Sequence, residues 1–150
     1  MNTQKRIAEE IAALHVALAD WLSGRCPRDG GFFQREFRDR FHTNFFNIQP
    51  AGMLLTRADL LNALDNGYGR SPEFRICVRE VKVHQALNDG HLILATYEAY
   101  QTGAVNSDRS DNARFSSALV EQLGEGHFLW HAIHETWLPE EKHDAENFRF

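Results

Sequence analysis

Glu98, Tyr100 and His134 are the side chains best suited to chemistry in this chain. A carboxylate can take a proton, a phenol can give one, and an imidazole can do either near neutral pH. Together they would support proton abstraction and return without a cofactor. On the strand expected over His91–Thr102, alternation puts Glu98 and Tyr100 on one face and Ile93, Ala95, Tyr97 and Ala99 on the other. On the last strand, expected over Phe128–Leu138, alternation groups His134 and Thr136 with Trp130. The expectation is a pocket on the concave face of the sheet, with Glu98, His134 and Tyr100 catalytic and Trp21, Phe46, Tyr97, Trp130 and Thr136 lining it. The competing reading makes Glu98 a solvated or subunit-contact residue.

Other constellations fail on spacing. His127, His131 and His134 would gather on one face of a helix, as a zinc site needs. On a strand His134 turns away from the other two, and the aromatic and β-branched content of Phe128–Leu138 reads as strand, so no metal is expected. Glu135 faces away from His134 by the same alternation. Ser116 and Ser117 lack a Gly-x-Ser-x-Gly elbow, and neither Cys26 nor Cys77 has a histidine nearby in sequence. Gly67-Tyr68-Gly69 follows a helix instead of a strand, which argues against nucleotide binding. No cofactor is expected.

The elements that must position these residues follow from periodicity. Ile7, Ile11, Leu14, Leu18 and Leu22 form one helical stripe, with Trp21 and His15 beside it and Gly24 and Pro27 as its stop. Phe33, Phe37 and Phe41 recur at spacing four and predict a short helix. Two short strands, Asn44–Pro50 and Met53–Leu55, lead to a helix over Arg57–Asn66 opened by Thr56 and Asp59. From Phe74 the period becomes two, with a parity change near Arg79-Glu80 that predicts a bulge. Asn88-Asp89-Gly90 is a hairpin turn, and three further strands follow it. Helices first and an antiparallel meander after them is an α+β arrangement, one domain over 1–138 with a polar tail over 139–150.

At 150 residues, the chain has the length of a single domain. A formal net charge of −5 argues against general nucleic-acid binding, which needs clustered Lys and Arg. No apolar run approaches the roughly 20 residues that span a bilayer, and acids stand where a signal peptide needs its apolar stretch. Two cysteines without a CxxC pair suit a reducing compartment, so a cytoplasmic location is expected.

Two stretches resemble the nuclear transport factor 2-like superfamily. Phe45–Leu61 is similar to its strand–Pro–x–Gly–strand–helix passage, and Trp130–Leu138 to the Trp-x-x-x-His-x-His-aromatic-Ser ending of kinase II association domains and their small bacterial relatives. Thr136 replaces the second histidine and Leu138 the serine, so the roles of those groups are not carried over. The resemblance implies a cone of bent sheet wrapped on the first helix, a pocket at its open end, and a homodimer formed through the sheet. It spans ketosteroid-isomerase-like and SnoaL-like cyclase enzymes, dehydratases and association modules. Two functions therefore follow as expectations. The first is binding of a small organic ligand, with isomerase, cyclase or dehydratase chemistry by proton transfer. The alternative is a non-catalytic association module.

Overall fold

The computed structural model describes residues 2–105 and 107–150. Asn2 caps α1 (Thr3–Ser23) by accepting from the Lys5 amide at 2.8 Å, and Gly24 ends it in the left-handed region at φ 78°. A Cβ on Gly24 would lie 3.2 Å from the Gly69 Cα, so the paired glycines let the helix end approach that loop. The Phe33–Phe41 spacing yields a π-helical turn (Gln34–Arg38) in place of a regular helix. That turn seats Phe33 and Phe37 against Trp21 at 5.1 and 5.9 Å between rings.

The remaining elements are β1 (Phe41–Ile48), β2 (Leu54–Thr56), α2 (Arg57–Gly67), β3 (Arg75–Leu87), β4 (Leu92–Thr102), β5 (Asn112–Gly124) and β6 (His127–Trp137). Thr56 and Asp59 form the reciprocal capping box of α2. β3 to β6 form the expected antiparallel meander. The two short strands do not stand apart from it. β1 runs parallel to β6, giving one curled, open sheet in the order β2-β1-β6-β5-β4-β3. Pairing across some 85 residues leaves no local trace in a sequence.

Among the register shifts of the sheet, one in β3 and one in β6 decide which side chains face inward. The expected one lies in β3, where register shifts between Arg79 and Lys82 and Glu80 adopts φ 57°. The side-chain amide of Gln4 bridges that edge, donating to the Val81 carbonyl at 2.7 Å and accepting from the Val83 amide at 2.9 Å. The second lies in β6. Trp130 pairs with Val120 and Ala132 with Leu119, so His131 is the extra residue. It reverses the alternation expected there: Trp130 points inward, as do Ile133 and Glu135, while His134 and Thr136 point out.

α1 lies across the inner face of the sheet. Ile7, Ile11, Leu14 and Trp21 pack with Ile93, Ala95, Tyr97, Val120 and Trp130 in one core, each large apolar side chain contributing roughly 1.5–3 kcal/mol. Residues after Pro139 form two 3-10 turns (Glu140–His143 and Ala145–Phe148) on the outer face. There Phe148 meets Tyr100 edge-on at 5.8 Å.

Candidate functional site

The inner face carries two polar rows at its open end. In register across β4, β5 and β6 lie Tyr97, Ser116 and Glu135, and one step further Ala99, Arg114 and Trp137. Glu135 accepts from Arg114 Nη1 at 3.2 Å and from Asn47 Nδ2 at 3.1 Å, with both charged side chains about 15% exposed. Arg114 also donates from Nε to Asn112 Oδ1 at 3.1 Å and lies over the Trp137 ring at 5.4 Å. Each charge is therefore compensated, the condition under which burial is tolerated.

Behind these rows sits His15 of α1. Its Nδ1 donates to the Ile11 carbonyl at 2.7 Å, and its ring stands edge-on to Tyr97 at 5.2 Å. Burial lowers its pKa and keeps the imidazole neutral; the same burial raises Tyr97 far above the ordinary phenol range. The Ser116 Oγ beside Tyr97 is buried and has no partner in hydrogen-bonding geometry among the described residues.

Arg114 reaches a recess of about 270 Å³ between α1, α2 and the ends of β4 and β5. Arg70, Gln49, Gln101, Ser71 and Ser107 supply its other polar side chains, and Leu22, Leu64 and Phe74 much of its apolar wall. A larger groove of about 430 Å³ lies at the opposite end, between Arg6, Glu9, Glu10 and Ala13 and the β5–β6 turn. Glu10 is already committed there, to Arg40 Nε at 2.9 Å and Trp130 Nε1 at 2.7 Å. The cone mouth is thus the better candidate. Two arginines, Arg70 and Arg114, line it with no carboxylate among its described lining residues, and Glu135 lies behind Arg114.

The residues expected from sequence divide between the faces. Tyr97 and Trp130 are inside, but only Tyr97 adjoins the Arg114 row. Trp21 is inside on the α2 side of the core, where its Nε1 donates to the Leu64 carbonyl at 2.6 Å. Phe46 and Thr136 lie exposed on the outer face. Glu98, Tyr100 and His134 share one face as expected, but it is the outer, not the concave one. The apolar set of β4 fills the concavity, and the bulge at His131 turns His134 away from Trp130. The Tyr100 hydroxyl donates to Glu98 at 2.7 Å, and burial, with that bond second, pushes its pKa up to about 12. His134 is solvent-exposed beside Ser117 and Ile48.

Sequence reasoning missed Arg114, Glu135, Asn47 and Ser116. One signal was present: Arg114 and Ser116 share the parity of Ala118 and Val120, and Glu135 that of Ile133, so polar groups recur along apolar faces.

A long helix held in a curled six-stranded sheet open at one end is the NTF2-like, cystatin-like cone fold, and the chain adopts it. It is similar over 89% of its length to an NTF2-like protein of unknown function from Pseudomonas aeruginosa, covering 99% of that chain at 23% identity with a TM-score of 0.78. An NTF2-like protein from Cytophaga hutchinsonii matches over 92% of this chain and 100% of its own at 16% identity, TM-score 0.63. The CaMKII hub of S. rosetta matches over 92% and 98% at 12% identity, TM-score 0.67. No protein-family model matches the sequence, and no curated protein matches it. Among the described residues no helix is long and apolar enough to cross a membrane.

Proposed function

We propose that this chain binds a small organic anion in the recess at the cone mouth, its charged group between Arg70 and Arg114 and its apolar body against Leu22, Leu64 and Phe74. The observation that carries the reading is Arg114, a largely buried cation on the inner face that opens onto a recess of ligand size. Turnover of isomerase, cyclase or dehydratase type would fall to Glu135, which becomes a free base only when a ligand draws Arg114 from it. The two free cysteines fit a cytoplasmic setting.

Thermal shift against a panel of small carboxylates (acetate, succinate, benzoate, phenylacetate) tests this. At least one member should raise Tm in the native protein and lose that effect in Arg70→Gln, whose side chain is exposed and makes no structural pair in the described residues. A panel without any stabilising member, or an unchanged response in Arg70→Gln, overturns it.

A second reading rests on the outer face. Leu94, Leu119, Ala132 and Phe46 follow one another in register across four strands, and Leu94 and Phe46 are each 38% exposed. Such a row is suited to burial against a second copy, as a homodimer through the sheet. Light scattering should then give twice 17.2 kDa for the native chain and the single mass for Phe46→Glu.

A further inference from the structure

The segment Glu140–Phe150 covers one end of the outer face, and His143, beside the exposed Glu140–Arg109 pair, ties its near end to β5. His143 Nε2 accepts from the backbone amide of Ala113 at 3.1 Å, while its Nδ1 donates to the Pro139 carbonyl at 3.2 Å. The ladder between β5 and β6 has just ended there, its last bond running from the Leu138 amide to the Ala113 carbonyl at 2.9 Å. His143 therefore continues the ladder in place of a strand. Beyond it, Phe148 packs on Tyr100, and the Phe150 ring lies 5.9 Å from the guanidinium groups of both Arg75 and Arg79. Beneath the segment lie Tyr100, Ala113 and Cys77.

Both ring nitrogens of His143 are used, one as donor and one as acceptor, and only the neutral Nδ1–H tautomer can do both. A protonated ring presents two donors, so the Ala113 N–H would face another N–H. We propose that Glu140–Phe150 is a proton-released cover, docked on the outer face while His143 is neutral and freed when His143 takes up a proton.

The charged surroundings decide where the proton is accommodated. On the segment itself stand Glu140, Glu141, Lys142 and Asp144. Glu140 is already paired with Arg109 at 2.9 Å, which lowers its pKa, and it lies near enough to His143 for a charge on that ring to lower it further. From β4 comes Glu98, with Lys142 at 3.9 Å, and from β3 Arg79, over the Tyr100 ring at 4.4 Å. Glu140 and Glu98 each have a cation beside them, so neither replaces the lost acceptor for the Ala113 amide. What release uncovers is the Tyr100–Cys77 patch, on the same face as the apolar row.

Amide hydrogen exchange tests the cover, read as protection factors so that intrinsic rates cancel. Between pH 8 and 5.5, which spans imidazole titration, the Ala113 amide and those of 142–149 should lose at least about tenfold in protection in the native chain. The Ala95 amide in β4 should keep its protection and so report that the core stays folded. In His143→Gln the side-chain oxygen can accept the same N–H without titrating, and protection should become independent of pH. A native chain whose segment is equally protected at both pH values overturns the proposal. So does a His143→Gln variant that keeps the pH-dependent loss. A variant flat at either level of protection assigns the dependence to His143 and supports it.

Discussion

The inner and outer faces of β4–β5–β6 carry acids that are equally buried but differently partnered. Inside, Glu135 is enclosed, receives two donors and opposes one arginine. Outside, Glu98 receives one phenol and has a lysine at the limit of contact. The two acids lie on neighbouring rows of the same meander, with Glu135 in register with Ser116 and Glu98 with Phe115. A single residue separates their fates, because a strand changes face at every step. A charged pair that shares parity with the core is thus the group whose removal should be most costly, because it leaves a buried charge without its counter-charge.

Deleting His131 breaks the comparison most severely. Without the extra residue, β6 must either expel Trp130 or turn Glu135 outward and His134 inward. Expelling Trp130 alone forfeits about 3–5 kcal/mol, so the deletion variant should show no cooperative unfolding transition in urea. A variant that unfolds with native cooperativity would mean that the bulge does not set the two faces.

Next come the acids themselves. Glu135→Ala removes the counter-charge of the largely buried Arg114 and should cost about 3–5 kcal/mol, the loss typical of a broken buried pair. Glu98 is as buried as Glu135, but its loss strands one neutral phenol and no buried cation, so Glu98→Ala should cost less, about 1–2 kcal/mol. Equal losses in parallel urea titrations would erase the distinction.

This contrast also explains what was legible in the sequence. The meander, the β3 bulge and the α2 capping box were readable because each rests on neighbours a few residues apart: Val78 and Val81 across a parity change, Thr56 with Asp59. The pairing of β1 with β6 and the bulge at His131 were not. Nothing near His131 marks it as an insertion, since its extra position exists only relative to Leu119 and Val120 on the next strand. Misplacing that one residue carried His134 and Thr136 to the wrong side and hid Glu135. Arg114 was hidden for a different reason: a charged residue on a strand reads as outward unless its partner across the sheet is already known.

The two faces should also divide the pH dependence of stability. His15 has its pKa lowered by burial, so below about 6.5 the unfolded chain binds the extra proton first. Its contribution is complete above that value and is lost as pH falls through the lower folded value; His15→Leu should flatten stability on the acid side. Tyr100, pushed up to about 12, contributes below the ordinary phenol range and loses that contribution as pH rises through the folded value. Tyr100→Phe should therefore reduce the alkaline slope, with Tyr97 and the Cys26 thiol, both also raised by burial, contributing to what is left. Urea titrations across pH for the two variants separate the limbs, and exchange of the two effects would contradict the assignment.

The smallest expected effect is the most informative about the site. Ser116 stands between Tyr97 and Glu135 in the inner row, its hydroxyl buried and without a partner. A buried hydroxyl that makes no hydrogen bond has been stripped of water without compensation, and removing it recovers that cost. Ser116→Ala should then be neutral or stabilising, within about 1 kcal/mol of the native chain. Its outward neighbour Ser117→Ala should fall within about 0.5 kcal/mol either way, as for a partly exposed position without a special role. A clear destabilisation by Ser116→Ala, beyond about 1.5 kcal/mol, would mean that the hydroxyl has a partner in solution. In that case the polar row behind Arg114 holds a water or part of a ligand, and the binding site runs deeper into the cone than the recess at its mouth.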